Sequence, residues 1–429
     1  MSLGQPDREP VVVTGRGVLT PLGLGLKPLL DGLRDGQSAI SDTKLEPLEG
    51  ARPAALLDES AEQWTDAWFA TGTPLAKRAQ KLVKRGPRGL VGAVVTAAQA
   101  WSEAALDTDR VDGERRGVVV GGHDLAMGYE ENLRTKFGGS PHHLPPSFAV
   151  RMMDTDHVGV LSELLGIRGY GLTVGGASAS GTMALIQAQD LIRAGRIDQC
   201  LVVGPMAELS PMALQSFDAM GALGGVANPG TRASRPFDQA RDGFVFGQAV
   251  ATLVLERASE AQLRQARVRG RILGTGVALD ASASPAPSAE GEARAMRYAL
   301  DEAGVAPERV DTINAHGTSS RAGDDVELEA IAEVFGEHAK ALRIQSTKGF
   351  LGHTLWAAGV LEALVVLGQM EADFVHGNAN LTEPIDEAIG LVGSTAVTPG
   401  PRIALSNSFG FGGINTSVVL GHAEERGTP

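Results

Sequence analysis

The feature that most restricts this chain is a set of short apolar runs that are continuous rather than alternating. Arg116–Gly122 (RGVVVGG) and Cys200–Gly204 (CLVVG) show no regular polar interruption. A strand with one wet face alternates apolar and polar residues, whereas a strand covered on both faces does not. These runs call for a sheet with helices on both sides. The same rhythm continues elsewhere. Val11–Thr14, Val250–Glu256, Val268–Leu279, Val310–Asn314, Leu342–Ser346, Ile403–Ser406 and Thr416–Gly421 read as strands. Leu26–Leu33, Gly89–Ala105, Val158–Leu165, Ala293–Ala303, Asp325–Phe335 and Trp356–Met370 read as helices. Gly15, Gly17 and Pro21 predict a turn after the first strand. Arg52–Gly72 reads as a mixed surface excursion, and Asp124–Pro146, which lacks a period, as a loop-rich cap. Alternation in both parts implies an α/β protein with two βαβ-type halves, 1–257 and 258–429. A structural duplication is expected, although the two sequences do not visibly repeat.

Within that rhythm one turn stands apart. Gly171–Gly181 (GLTVGGASASG) has an apolar lead-in, a turn crowded with small residues, and a helical stretch over Thr182–Ala194. This is the layout of a strand–elbow–helix nucleophile site. It presents one side chain at a helix N-terminus, where backbone N–H groups favour negative charge. That side chain is Ser178. The formal net charge of −13 argues against nucleic acid or an anionic membrane as partner. An acidic partner then needs a local basic patch. Lys77–Arg88 (KRAQKLVKRGPR) is one, either a solvated face or a landing surface. The lone Cys200 permits no intramolecular disulfide and reads as a small core hydrophobe. Met1–Pro10 is polar and no apolar run reaches the ~18 residues of a membrane span. A cytoplasmic protein without signal or membrane segment is therefore expected.

Four segments belong together: Ala177–Gly181 (ASASG), Asn314–Thr318 (NAHGT), Lys348 through His353, and Asn407–Gly413 (NSFGFGG). Each sits at a strand end or in a glycine-bounded turn, where the sites of open α/β folds gather. In this order they resemble the β-ketoacyl-acyl carrier protein synthase, or ketosynthase, family. The resemblance runs from Val11–Gly23 to Ser406–Leu420, nearly the whole chain. It implies the thiolase fold, with two similar βαβαβ halves in a five-layered αβαβα arrangement, and a homodimer. It also implies no cofactor or metal of the protein's own, the substrate being carried on the phosphopantetheine arm of an acyl carrier protein. By position, His316 and His353 match the family's histidine pair, Lys348 its lysine, and Glu362 the lysine's partner. Phe411, with Gly412, matches a gating turn whose backbone N–H helps form an oxyanion hole. Thr318 and Ser320 would bond the pantetheine arm. Lys77, Arg78, Lys81, Lys84 and Arg85 fall where relatives dock the carrier protein. Phe409 reads as a core aromatic, and Asp324 and Glu327 as structural carboxylates.

Ser178 stands where the family has its catalytic cysteine, and other departures cluster with it. Gly176 replaces a usual threonine, Gln248 a usual acid, and the Asp280–Ser288 loop is short and plain. The clustering favours a natural variant over a single laboratory change. The family reaction has two parts with different needs. Loading an acyl chain needs a good nucleophile. A thiol of pKa about 8.5 is partly ionised at neutral pH, and an alcohol is not. Decarboxylating a malonyl thioester instead needs donors for the enolate oxygen, and both histidines are kept. The expected activity is conversion of malonyl-acyl carrier protein to acetyl-acyl carrier protein without condensation. The chain resembles the free-standing Cys-to-Ser ketosynthase variants of polyketide β-branching cassettes. Those feed an enzyme resembling hydroxymethylglutaryl-CoA (HMG-CoA) synthase. The alternatives are a serine-dependent acyltransferase, a non-catalytic partner of a ketosynthase like a chain-length factor, and a Cys-to-Ser variant of a condensing synthase.

Overall fold

Ten strands carry the architecture of the computed structural model, which describes residues 9–57, 59–84, 86–106 and 111–424. Arg85 and most of Met1–Pro10 lie outside the described residues. The first five strands are Val11–Thr20 (β1), Arg116–Gly121 (β2), Tyr170–Val174 (β3), Gln199–Gly204 (β4) and Val250–Arg257 (β5). The second five are Gly270–Leu279 (β6), Thr312–Asn314 (β7), Arg343–Gln345 (β8), Ile403–Gly410 (β9) and Ile414–Gly421 (β10). They run in the order β3-β2-β4-β5-β1-β6-β10-β9-β7-β8. Numbered within each set of five, the order is third, second, fourth, fifth, first, both times. Directions repeat as well. The first three in that order are parallel, and the fifth strand is antiparallel to both its neighbours. The sets meet where Val11–Val13 pairs antiparallel with Gly270–Ile272. The expected duplication is thus a duplication of topology, with no repeat of sequence needed.

Six helices complete the layers: Arg88–Glu103 (α1), Thr155–Leu165 (α2), Ser180–Arg193 (α3), Ala289–Ala303 (α4), Arg321–Phe335 (α5) and Ala358–Ala372 (α6). The central pair, α3 and α6, packs on strands of both sets. On the outside, α1 and α2 cover the first set and α4 covers the second, with α5 against it. This is the αβαβα thiolase arrangement. It explains the continuous apolar runs, since β2 and β4 are buried at every residue. It also explains α6, whose residues from Ala358 to Met370 are all buried. The stretch Leu355–Ala372 is apolar enough to cross a membrane by composition, but here it is a core helix.

Three expectations need correction. β1 does not end at Thr14; it continues to Thr20 with every residue buried. Gly15 and Gly17 are there because α1 lies so close. A Cβ at either would stand 2.0 Å from the Ala100 carbonyl oxygen or 1.9 Å from that of Thr96. The Asp124–Pro146 segment is not mostly loop but contains a helix, Met127–Phe137, and none of that helix's residues is buried. A helix without a buried face carries no apolar period to read. Arg52–Gly72 likewise resolves into strand Ala51–Ala55 and helix Glu59–Ala70.

Candidate active site

The site is built from two turns that enter the central helices. In the first, β3 gives way to a single 3-10 turn, Ala177–Ala179, which runs into α3. Ala177 takes a left-handed φ of 48°. The Ser180 hydroxyl closes the turn, donating to the Ala177 carbonyl at 2.7 Å and accepting from the Gly176 N–H at 2.9 Å. Ser178 is left half-buried at the tip. Gly410 seals this turn from the other half, because a Cβ there would stand 2.4 Å from the Gly176 carbonyl oxygen.

The second turn follows β8 and the short helix Lys348–Leu351. His353 comes next, then the 3-10 turn Leu355–Ala357, whose first residue has φ 50°, then α6. The main chain of His353 is fixed by the first half of the chain. Its N–H donates to the Val245 carbonyl at 2.6 Å, and its carbonyl accepts from the Gly247 N–H at 3.0 Å. Its ring is fixed by its own turn, as the Leu355 N–H donates to Nδ1 at 3.3 Å. A nitrogen that accepts carries no proton, so the ring proton sits on Nε2. Nε2–H then donates to the Ser178 hydroxyl oxygen at 2.8 Å.

His316 hangs from the end of β7. The N–H groups of His316 and Gly317 donate to the two Glu327 carboxylate oxygens at 2.8 and 2.7 Å, and the Asn407 amide adds a third bond at 3.1 Å. Glu327 thereby acts on the backbone that carries His316. The two imidazoles lie 5.5 Å apart, edge to face. Both are held well below the ordinary histidine pKa, chiefly by burial and next by the nearby Lys348 ammonium. They are therefore neutral at pH 7. Lys348 is ion-paired with Glu362, and both are almost fully buried. Burial pushes the Glu362 carboxyl up to about 7 against the pull of that ammonium.

Ser178, His316 and His353 open into one cavity of about 550 Å³. Thr318, Ser320, Phe409 and Phe411 also line it, as does part of the Asp280–Ser288 loop. Phe411 is 44 % exposed beside Gly412, whose φ is +89°. Phe409 is buried, with its ring 5.7 Å from that of His316. The Ser320 hydroxyl caps α5, accepting from Gly323 N–H at 3.2 Å and from the Thr318 hydroxyl at 3.0 Å. Gln248 uses both ends of its amide on main chain, accepting from Leu57 N–H and donating to the Ala207 carbonyl. Cys200 is buried in β4, and burial pushes its thiol pKa up. Lys77, Arg78, Lys81 and Lys84 are exposed on or beside helix Pro74–Val83. Three of them line a separate groove of about 670 Å³, together with Arg88. Arg88 is engaged with Glu62 and the Leu57 carbonyl. Among the described residues no group of three or more His, Cys, Asp or Glu side chains is arranged to hold a metal ion.

Glu327, a structural carboxylate by sequence, lines the cavity, as do His123, Trp356 and Glu292, which no sequence motif marks. The rings of His123 and Trp356 lie 4.3 Å apart. In the sequence Glu292 is visible only as a charge beside the apolar face Ala293, Ala295, Met296 and Ala299.

Comparison with known proteins supplies the context. Residues 8–261 match the family model for the β-ketoacyl synthase N-terminal domain, and residues 269–382 that for the C-terminal domain. The polyketide biosynthesis malonyl-ACP decarboxylase PksF of Bacillus subtilis is 35% identical over 419 residues, covering 97% of each chain. A 3-oxoacyl-[acyl-carrier-protein] synthase 2 of Coxiella burnetii is 31% identical, covering 96% of this chain and 99% of its own. Among solved structures, a type II polyketide ketosynthase in complex with its acyl-carrier protein matches with a TM-score of 0.84 at 27% identity. That match covers 97% of this chain and 100% of the other.

Proposed function

The chain belongs to the β-ketoacyl synthase family, and from that premise we propose that it decarboxylates malonyl-acyl carrier protein to acetyl-acyl carrier protein without condensation. The observation that carries this reading is the Leu355 N–H donated to His353 Nδ1, which assigns the ring proton to Nε2 and so gives the Ser178–His353 hydrogen bond its direction. The Leu355 N–H occupies Nδ1, so Nε2 faces Ser178 as a donor. A histidine that is already protonated there cannot take the serine's proton, and an alcohol needs a strong base to become a nucleophile. The same N–H suits an enolate oxygen. Two neutral imidazoles in one buried cavity are the donors that an enolate needs. The malonyl thioester would lie with its carbonyl oxygen between His316 and His353. Its carboxylate would leave as CO2, with the negative charge passing to that oxygen. Lys348 and Glu362 act through the charge they set near His316 and His353, and Phe411 with Gly412 closes the mouth. Thr318 and Ser320 border the path of the pantetheine arm. The likeness to the B. subtilis malonyl-ACP decarboxylase agrees with this reaction.

We place the protein in polyketide β-branching, in the cytoplasm, where an HMG-CoA synthase-like enzyme would take up the acetyl group. Exposed Lys77, Arg78, Lys81 and Lys84 suit an acidic carrier protein on a chain that is otherwise acidic. A homodimer is supported by the open edge of the sheet at β3, where Tyr170 is 42 % exposed. Mass spectrometry of malonyl-carrier protein incubated with the enzyme tests the reaction. Acetyl-carrier protein should appear with no acyl acceptor present. Unchanged malonyl-carrier protein sinks the reading, and an acylated Ser178 replaces it with the acyltransferase.

A further inference from the structure

Loss of CO2 leaves an enolate, which becomes an acetyl group only when its α-carbon gains a proton. The groups described so far are poor sources. A neutral imidazole that gives up its only ring proton becomes a very strong base. The Lys348 ammonium is tied to Glu362. Both Glu327 oxygens are taken by N–H donors.

Glu292 differs from all of these. It lies in the first turns of α4, which is capped by the Ser288 hydroxyl. It is 1 % exposed and lines the same cavity as Ser178, His316 and Phe411. Its Oε2 is buried with no hydrogen-bond partner. Its buried neighbours on the helix are Ala293, Ala295, Met296 and Ala299. An ionised carboxylate left unpartnered in such a place is costly. Helix α4 packs against β6, β10, β9 and α5. The charged groups facing Glu292 from them are Asp280, just past β6, and Asp324 and Glu327 on α5. Burial first, and then these three acids, raise its pKa well above the ordinary carboxyl value. A buried carboxyl whose Oε2 has no partner, lining a reaction cavity and biased by burial and its acid neighbours toward holding its proton, is placed to act as an acid.

Resting on the decarboxylase reading, we propose that Glu292 is the proton source that turns the enolate into acetyl. The bond between the malonyl α-carbon and its carboxylate breaks, CO2 leaves, and the electron pair stays as the enolate. The Glu292 O–H then breaks as the new α-carbon C–H forms, directly or through one water. The enolate charge returns to a neutral thioester carbonyl. The Glu292 carboxylate regains its proton from solvent, so each turnover consumes one proton.

The test compares intact wild type with Glu292→Gln, Glu292→Ala and the exposed control Glu290→Gln, all assayed with malonyl-carrier protein. In wild type, acetyl formation should fall as pH rises through the raised Glu292 pKa. Glu292→Gln should be about a hundredfold slower and should lack that alkaline limb, while Glu290→Gln behaves as wild type. Glu292→Ala should regain rate with added formate, a small acid that fits the space left. A Glu292→Gln enzyme with wild-type rate and pH profile overturns the proposal. So does a slow one that keeps the alkaline limb, or a Glu292→Ala enzyme indifferent to formate. A wild type that makes acetyl-carrier protein keeps the decarboxylase reading whatever the variants do. A wild type that makes none brings down both.

Discussion

The turns that open the two central helices are close copies in backbone and unlike in cargo. Ala177–Ala179 and Leu355–Ala357 are both single 3-10 turns, and their first residues hold φ at 48° and 50°. In the middle position one turn carries Ser178 and the other Trp356. Ser178 is half-buried at the cavity. Trp356 is nearly buried, belongs to the core of the first half, and stacks against His123. The fold therefore makes the presenting device twice, and an elbow alone does not declare a nucleophile. What separates the two is the flanking residue. His353 stands two positions before Leu355, whose N–H decides where the imidazole proton sits. The first turn has no such companion of its own and borrows its hydrogen bond from the second.

The largest effect that would sharpen this contrast is structural. Trp356→Ala should cost about 3–5 kcal/mol of stability, read from the denaturant midpoint. A loss under about 1 kcal/mol would mean that Trp356 is cargo of the same light kind as Ser178. Next comes the chemistry carried by the second turn and its neighbour. His353→Ala or His316→Ala should each slow acetyl formation by about 10²–10³-fold, roughly 3 kcal/mol in the barrier. A variant within tenfold of wild type would break the assignment.

The pH profile tests the same pair more gently. Their lowered pKa values keep both rings neutral through neutrality, so protonation of this pair slows the reaction only as pH falls well below the ordinary value of 6.5. Protonating Nδ1 of His353 would also set it against the Leu355 N–H. An acid limb at or above pH 6.5 would contradict this. The smallest effect is expected at the first turn. Ser178→Ala should stay within about tenfold of wild type, roughly 1.4 kcal/mol, because it frees Nε2–H without removing it. Complete loss would restore Ser178 as the nucleophile.

Much of this was legible because the decisive residues sit in short, glycine-bounded strings. Gly171–Gly181, Asn314–Thr318 and Lys348–His353 each carry their signature within a few residues, and the structure brings Ser178, His316 and His353 to one cavity. What escaped depends on distant partners. Gly15 and Gly17 look like turn residues until α1 is laid against them. Met127–Phe137 has no buried face to print a period. Glu327 looks like any helix acid until its oxygens are found on the main chain of His316 and Gly317. Trp356 reads as one more apolar residue of a core helix, and only the matching backbone of the two turns singles it out.

The sealing of the first turn by Gly410, and of His353 by Val245 and Gly247, has a consequence in time. Ser178 is synthesised long before His353, and Gly410, the residue that closes its turn, comes later still. While the chain grows, the elbow exists without its donor and without its seal. Distant contacts of this kind form late and slowly. The site thus stays chemically mute until His353 and Gly410 have both been made and have found their places.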